Sequence, residues 1–369
     1  MQITCTKSDL MNGVNIALRA VSSKTTLPIL ECIVIDAQSG IIKLLSNDQE
    51  LGIETIVKGT ITEPGAIAIN AKIFSDIIRK LPDSEVKITT DENFMAFIQC
   101  EKSKFNLVGK SHEEFPMLPQ VETDRSITIS DFALKEIIHQ TIFSVSDNES
   151  NKIMTGELFE VKGDVFKVVS LDGHRISIRK IQLHDSYEDM RVIVPGKTLN
   201  EISKILSGEV DKLVNMYVTD KHILFSLENT TVLSRLIEGE YYKIEQMLSD
   251  NYVTKVNVNN KEFLNCIDRA SLLIKEADKT PIVLNFSDDN LELKINSTIG
   301  SMKEDIDIRK EGKDILIGFN PKFLMDALRV IDDETVDIYL FNPKAPCFIK
   351  DKDENYIYLI LPINFNAVQ

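Results

Sequence analysis

Apolar positions in this chain fall into two alternating rhythms. Leu10, Gly13, Val14 and Ala17 follow the i, i+3, i+4, i+7 spacing that places side chains on one helical face. Leu134, Ile137, Ile138 and Thr141 repeat it, and so do Phe263, Cys266, Ile267 and Ala270. A short alternating segment precedes each stripe, at 2–6, 126–130 and 255–259. Asp131 and Asn259 stand where a polar side chain can cap a helix start. Strand-like alternation follows. Residues 158–169 alternate around Gly163-Asp164, which predicts a hairpin, and the form recurs at 33–45 around Ser39-Gly40 and at 282–295. A second helix comes next: Phe74, Ile77, Ile78 and Leu81 share a face, with Lys72, Asp76 and Arg79 opposite. More strands close the unit. The layout is α+β, two helices packed on antiparallel sheet.

This second helix recurs. Ile69-Asn-Ala-Lys-Ile-Phe-Ser-Asp-Ile-Ile-Arg79 is matched by Val194-Pro-Gly-Lys-Thr-Leu-Asn-Glu-Ile-Ser-Lys204 and by Phe319-Asn-Pro-Lys-Phe-Leu-Met-Asp-Ala-Leu-Arg329. A base, an acid and a base hold equivalent positions each time: Lys72, Asp76, Arg79; Lys197, Glu201, Lys204; Lys322, Asp326, Arg329. The chain reads as three copies of one domain, 1–124, 125–250 and 251–369, with polar stretches at the boundaries.

Composition changes that picture in one respect. Of 369 residues, 43 % are hydrophobic and 27 % charged, as in ordinary globular proteins, but the net charge is −15. Taken whole, that charge disfavours a phosphate-bearing partner. The bases on the repeated helices are segregated from it. One such helix would be read as a solvated face. Three in register, arranged about a common axis, make a continuous basic surface suited to a polyanion. No apolar run is long enough to span a bilayer, and the start lacks a signal-peptide layout. Cys5, Cys32, Cys100, Cys266 and Cys347 are scattered without a Cys-x-x-Cys, which fits reduced thiols in a cytoplasm.

Chemistry-bearing patterns are sparse. The polar insertion Ser170-Leu-Asp-Gly-His-Arg-Ile-Ser177 offers Asp172 and His174 as orienter and base for a hydrolase, but no nucleophile motif accompanies them, and a surface turn is the better reading. The acidic runs 332–334 and 351–354 lack calcium-loop spacing and read as solvated turns. No metal-spaced histidines, phosphate loop or dinucleotide fingerprint occur, so no cofactor is expected. At the end, Tyr356-Ile-Tyr-Leu-Ile-Leu-Pro-Ile-Asn-Phe365 reads as a final core strand stopped by Pro362, leaving Ile363 and Phe365 as binding groups.

The triplication, joined to Leu171-Asp-Gly-His-Arg-Ile176, Thr26-Leu-Pro-Ile-Leu30, Val192-Ile-Val-Pro195 and the terminal Leu361-Pro-Ile363, resembles the bacterial replicative sliding clamps, the β subunits of DNA polymerase III. The resemblance covers the whole chain. It implies a head-to-tail homodimer forming a six-domain ring, helices lining the hole and sheets outside. Such a ring encircles double-stranded DNA without reading sequence and tethers the replicative polymerase as a processivity factor. It has no catalysis of its own and is opened by an ATP-dependent clamp loader. An acidic exterior with a basic lumen then answers the charge question, since a topologically held duplex needs only weak contacts. On this chain the lumen would comprise Lys24, Lys72, Arg79, Lys197, Lys204, Lys322 and Arg329. Polymerase, loader and other replication and repair proteins would dock short peptides in a pocket between the second and third domains. One wall would be Leu171, Gly173, His174, Arg175 and Ile176 with Met154; the other Leu359, Leu361, Pro362, Ile363 and Phe365 with Phe348 nearby. The stretch 241–248 departs from the family's Phe-Pro-Asp-Tyr-like pattern but contributes Tyr242, Gln246 and Met247, and residues 366–369 extend far enough to cover part of the pocket. His174 and Arg175 would form its polar lip. Phe105 and Leu107 of one copy would meet Leu272 and Leu273 of the other. Two rival readings remain at this level: a hydrolase using His174, and a protein-binding scaffold whose basic helix faces are merely solvated.

Overall fold

The computed structural model describes residues 1–22, 25–119, 121, 126–248, 251–274 and 280–365. Among them are six α-helices: α1 (Lys7–Ala17), α2 (Ala71–Lys80), α3 (Asp131–Thr141), α4 (Gly196–Ile205), α5 (Asn260–Ser271) and α6 (Pro321–Leu328). α2, α4 and α6 carry the repeated motif and start at equivalent places in it. Side-chain oxygens satisfy the first free amides of five helices. Thr6 accepts from Asp9 N (3.1 Å), Asn70 from Ile73 N (3.1 Å), Ser130 from Ala133 N (3.1 Å), Asn259 from Glu262 N (3.0 Å) and Asn320 from Lys322 N (3.0 Å). Asp131 does not cap α3 as its position suggested. It is the first residue of the helix, and its buried carboxylate accepts from Ser207 N (3.2 Å) and Gly208 N (2.5 Å). Ser130, one residue earlier, has the extended position a cap needs.

The contacts divide the chain into two compact units, Met1–Leu134 with Asn200–Leu236 and Lys135–Leu199 with Ile237–Gln369. The first unit holds two antiparallel sheets. In the five-stranded sheet Thr60–Glu63, Gln2–Thr6, Glu85–Thr90, Met95–Cys100 and Ser103–Val108 lie side by side. In the eight-stranded sheet, strand Thr230–Arg235 pairs with Leu51–Val57, so the first and second repeats share one sheet. The second unit has a ten-stranded sheet in which Tyr356–Ile360 pairs with the start of Arg175–Pro195, joining the second and third repeats in the same manner.

The helix stripes face their sheets. Leu10, Gly13, Val14 and Ala17 are buried, as are Leu134, Ile137, Ile138 and Thr141, and Phe263, Cys266, Ile267 and Ala270. Fully burying a large apolar side chain is worth roughly 1.5–3 kcal/mol, so these stripes are what hold helix to sheet. The expected hairpin at Gly163-Asp164 is not there. Residues Gly156–Leu171 form one long strand beside Arg175–Pro195, and Gly163 (φ 61°) sits in an irregularity where the register shifts. A glycine in the left-handed region serves a bulge as well as a turn, and the partner strand decided between them. The reversal comes at Asp172-Gly173, where Gly173 has φ 90°.

Candidate partner pocket and nucleic-acid interface

The hairpin tip at 171–176 is built by Asp172. Its Oδ1 accepts from His174 N (2.9 Å) and Arg175 N (3.2 Å), and its Oδ2 accepts from Arg175 Nε (2.9 Å). Both oxygens are thus spent on the turn and the guanidinium. The His174 ring instead lies over Phe323, 6.1 Å between centroids at 25°. No acid–base pair is assembled there.

Arg175 departs from its expected place on the pocket's lip. It is buried. Nη1 donates to Asp326 Oδ2 (2.6 Å), Nη2 donates to the Phe143 carbonyl, and the guanidinium sits 4.3 Å from the Phe323 ring centre. A planar cation with five donors can be buried when carboxylates and carbonyls meet its fork and an aromatic face covers it. Arg175 therefore ties the hairpin to α6, and His174, which is less buried, is left as the polar edge.

Beneath the tip, Leu171, Ile176, Phe348 and Leu359 belong to one apolar cluster, with Met154 and Tyr242 packed half-buried against it. The cluster's centre also holds Tyr241 and Ile244, which sequence reading passed over. Tyr241 donates its hydroxyl to Val169 O (3.1 Å), so an aromatic body fills the core while its polar end is satisfied. Burial pushes that phenol far above the usual tyrosine range. The signal was present: Tyr241, Ile244 and Leu248 recur at helical spacing. Gln246 and Met247 are exposed and stand outside the cluster.

The terminal segment leaves the sheet at Leu361, as Pro362 requires. Leu361 N donates to His174 O (2.8 Å) and Ile363 N donates to Gly318 O (2.8 Å). A Cβ built on Gly318 would fall 2.6 Å from Phe365 Cδ1, so the glycine is what lets the ring approach strand Ile315–Phe319 this closely. Ile363 and Phe365 are half-buried and Leu361 exposed. Residues 366–369 lie outside the described residues, as does Lys24.

Lys72, Arg79, Lys197, Lys204, Lys322 and Arg329 are all exposed, opposite the buried faces of α2, α4 and α6. The acids between them have three different duties. Among the described residues, Asp76 pairs with Arg79 of its own helix, at 3.6 Å. Glu201 accepts from Lys204 (2.7 Å) and from Arg19 (3.0 Å), and Asp326 accepts from Arg175. Burial would raise the Glu201 carboxyl, but the hydrogen bonds from Lys204 and Arg19 outweigh it and hold it below the usual range.

Phe105 and Leu272 are exposed; Leu107 and Leu273 are half-buried against the cores of the first and third repeats. Two sheet edges lie beside them. Among the described residues, strand Ser103–Val108 ends its sheet, and residues 301–307 of strand Ser301–Gly312 pair with Asn290–Asn296 on one side only, since Thr254–Asn259 joins the other side from Ile308 onward. No three His, Cys, Asp or Glu side chains among the described residues are grouped to hold a metal, and no described helix is long and apolar enough to cross a membrane.

A triplicated α+β chain with helices bearing outward bases and sheets fused across its repeats has the architecture of a clamp protein. The DNA polymerase III beta subunit descriptions match it three times: the N-terminal domain over residues 1–119, the central domain over 128–243 and the C-terminal domain over 245–364. It is 38 % identical over 374 residues to a beta sliding clamp of Staphylococcus epidermidis, covering 98 % of this chain and 99 % of that one. Among solved structures, a putative DNA polymerase III beta subunit from Eubacterium rectale superposes with a TM-score of 0.96 at 61 % identity, covering 99 % of this chain and 100 % of that one. The sliding clamp of Bacillus subtilis does so with a TM-score of 0.95 at 34 % identity, with the same coverage. The chain belongs to the DNA polymerase III beta subunit family. It is a sliding clamp, a processivity subunit of the polymerase without catalysis of its own.

Proposed function

We propose that two copies of this chain close head to tail around duplex DNA, with the basic faces of α2, α4 and α6 toward the phosphates and domain limits at 1–124, 125–250 and 251–369. The carrying observation is a pairing rule seen twice. In each unit the last strand of one repeat lies antiparallel on the strand that follows the preceding repeat's hairpin tip: Thr230–Arg235 on Leu51–Val57, and Tyr356–Ile360 on Arg175–Pro195. The two strands left over are Ser103–Val108 and the start of Ser301–Gly312, and among the described residues both have an open edge. Open edges seek strands. A contact of this kind between unlike ends of two copies closes into a ring.

Transferring the observed registers puts Asn106 opposite Ser301, and Phe105 opposite Met302, of a second copy. Opposed residues on antiparallel strands lie within disulfide reach, their Cα atoms roughly 4.5–5.5 Å apart. The five native thiols are buried, so background crosslinking is low. A chain carrying Asn106→Cys and Ser301→Cys should therefore run as a covalent dimer on a non-reducing gel. A chain with Asn106→Cys and Lys303→Cys, two residues out of register, should not. Monomer in both would count against the ring. Once loaded by an ATP-dependent loader onto nicked circular DNA, the crosslinked ring should stay bound in high salt and leave on linearisation.

Partner peptides from the polymerase, the loader and repair proteins would use the apolar cluster beneath 171–176 as their site, because an extended peptide with two or three anchors needs a preformed cleft. The site of action is the cytoplasm.

A further inference from the structure

Both junctions inside the chain carry an arginine onto the repeated acid of the next repeat's second helix. Arg19 reaches Glu201 at 3.0 Å, and Arg175 reaches Asp326 at 2.6 Å. The two arginines come from different places. Counted from the helix-capping residues Thr6, Ser130 and Asn259, the position of Arg19 is held by Phe143 in the second repeat and Leu272 in the third.

Arg175 sits at a hairpin tip that all three repeats build alike. Asp48 N donates to Leu51 O (3.0 Å), Asp172 N to Arg175 O (3.4 Å) and Ser297 N to Gly300 O (2.9 Å). The flanking pairs also correspond: Asn47 with Gly52, Leu171 with Ile176, Asn296 with Ser301. Leu51, Arg175 and Gly300 are therefore equivalent. Each internal junction has an arginine at one of the two positions. The third repeat has one at neither: Leu272 and Gly300 stand there.

The acceptor for that third junction is nevertheless present. Asp76 is the first repeat's copy of Glu201 and Asp326. Its side chain is 53 % exposed, and among the described residues its ion pair is with Arg79, within its own helix. We propose that the subunit junction is built as a copy of the two internal ones with the arginine left out, so that it is the junction made to part, and that Gly300 is the position from which a second copy's Asp76 would be engaged if the arginine were restored. This rests on the ring reading above. Nothing in the backbone forbids the restoration. Gly300 is outside the left-handed region, and among the described residues a Cβ there would meet Leu273 Cδ2 at 3.4 Å, an ordinary contact.

The test is a gain of function. Gly300→Arg should tighten the dimer, read by sedimentation over a dilution series, and slow subunit exchange. A charge-assisted bond to a carboxylate corresponds to about tenfold per junction, hence on the order of a hundredfold for a ring with two. Gly300→Met, which adds length without charge, should leave the dimer constant within about twofold. Asp76→Asn in the Gly300→Arg background should abolish the gain, while Asp76→Asn alone should change little. Gly300→Lys should give a smaller gain with the same dependence on Asp76, and it serves if the arginine variant folds poorly. A dimer constant unmoved by Gly300→Arg or Gly300→Lys, or a gain that survives Asp76→Asn, overturns the missing-arginine inference while leaving the ring intact. A wild-type protein that stays monomeric at every concentration overturns the ring reading and the inference with it.

Discussion

The two junctions inside the chain share one strand-pairing scheme but treat the ground beneath the hairpin tip differently. In the first unit Gly52 follows the tip, and the Leu118 side chain fills the space its Cβ would need. Asn47 Nδ2 donates to Pro116 O (3.1 Å), and Phe115 is buried in the same neighbourhood. The connector after strand Ser103–Val108, with Phe115, Pro116 and Leu118, thus occupies the space behind the tip. In the second unit Ile176 replaces the glycine, and the connector's Tyr241 and Ile244 lie lower, in the floor of an apolar cluster whose rim includes Met154 and Tyr242. One pairing scheme thus carries two fillings: Leu118 takes the space behind the tip in the first unit, while Tyr241 and Ile244 join the apolar cluster in the second.

The sharpest way to separate the two junctions is through their arginines. Arg175→Ala strands Asp172 and Asp326 and removes a buried cation from two aromatic rings. Breaking a buried pair by removing one partner costs about 3–5 kcal/mol. Arg19→Ala touches a pair whose side chains are 27 % and 21 % exposed and should cost about 1 kcal/mol or less. Urea unfolding followed by circular dichroism should rank them so, and equal losses would erase the distinction.

Peptide binding divides the junctions next. Ile363→Ala with Phe365→Ala should weaken a polymerase tail peptide by about 2–4 kcal/mol in fluorescence anisotropy. Leu118→Ala, in the filled groove, should leave that affinity unchanged. Wild-type affinity in the double variant would move the partner site elsewhere.

A smaller effect lies in two carboxyls with opposite pH behaviour. Glu201, in the first unit, is held below the usual range. A depressed carboxyl stabilises the fold above its unfolded value of about 4.3, and that stability is lost as pH falls through the folded value. The advantage of wild type over Glu201→Gln should thus be present at neutral pH and fade in acid. Glu157, in the second unit, is fully buried, and burial pushes its carboxyl well up. Thr141 favours the charged form but burial outweighs it, and the Thr141 hydroxyl donates instead to Ile137 O (2.7 Å). Here the folded state prefers the proton, so wild type loses stability as pH rises past the unfolded value. Glu157→Gln cannot ionise, and its melting temperature relative to wild type should climb between pH 5 and pH 8. A flat difference would mean the carboxyl is not titrating as its surroundings require.

Much of this was legible in sequence because it is periodic. Stripes such as Leu134, Ile137 and Ile138 are set by local geometry, and the bases on α2, α4 and α6 repeat at a fixed interval. What escaped depended on distant partners. Arg175 reads as a surface residue in a polar turn until Phe143 and Asp326 are brought to it. Gly163-Asp164 reads as a turn until a continuous neighbouring strand turns it into a bulge. Ser130 and Asp131 both suit a helix start, and only Ser207 and Gly208 decide which is free to cap. The terminal Pro362 was read correctly because its effect is local: strand Tyr356–Ile360 stops before it.

The pairing of Thr230–Arg235 with Leu51–Val57 also sets a timetable. A ribosome adding about 5–20 residues per second leaves roughly ten to thirty-five seconds between the making of one strand and the arrival of the other. During that interval the edge of Leu51–Val57 is bare, an apolar template for any other extended chain nearby. The first repeat, though complete as a sequence, is not finished as a structure until most of the second has been made. Shortening or slowing that stretch of synthesis, for instance by altering codons between positions 57 and 230, is thus a lever on yield that leaves the mature protein unchanged.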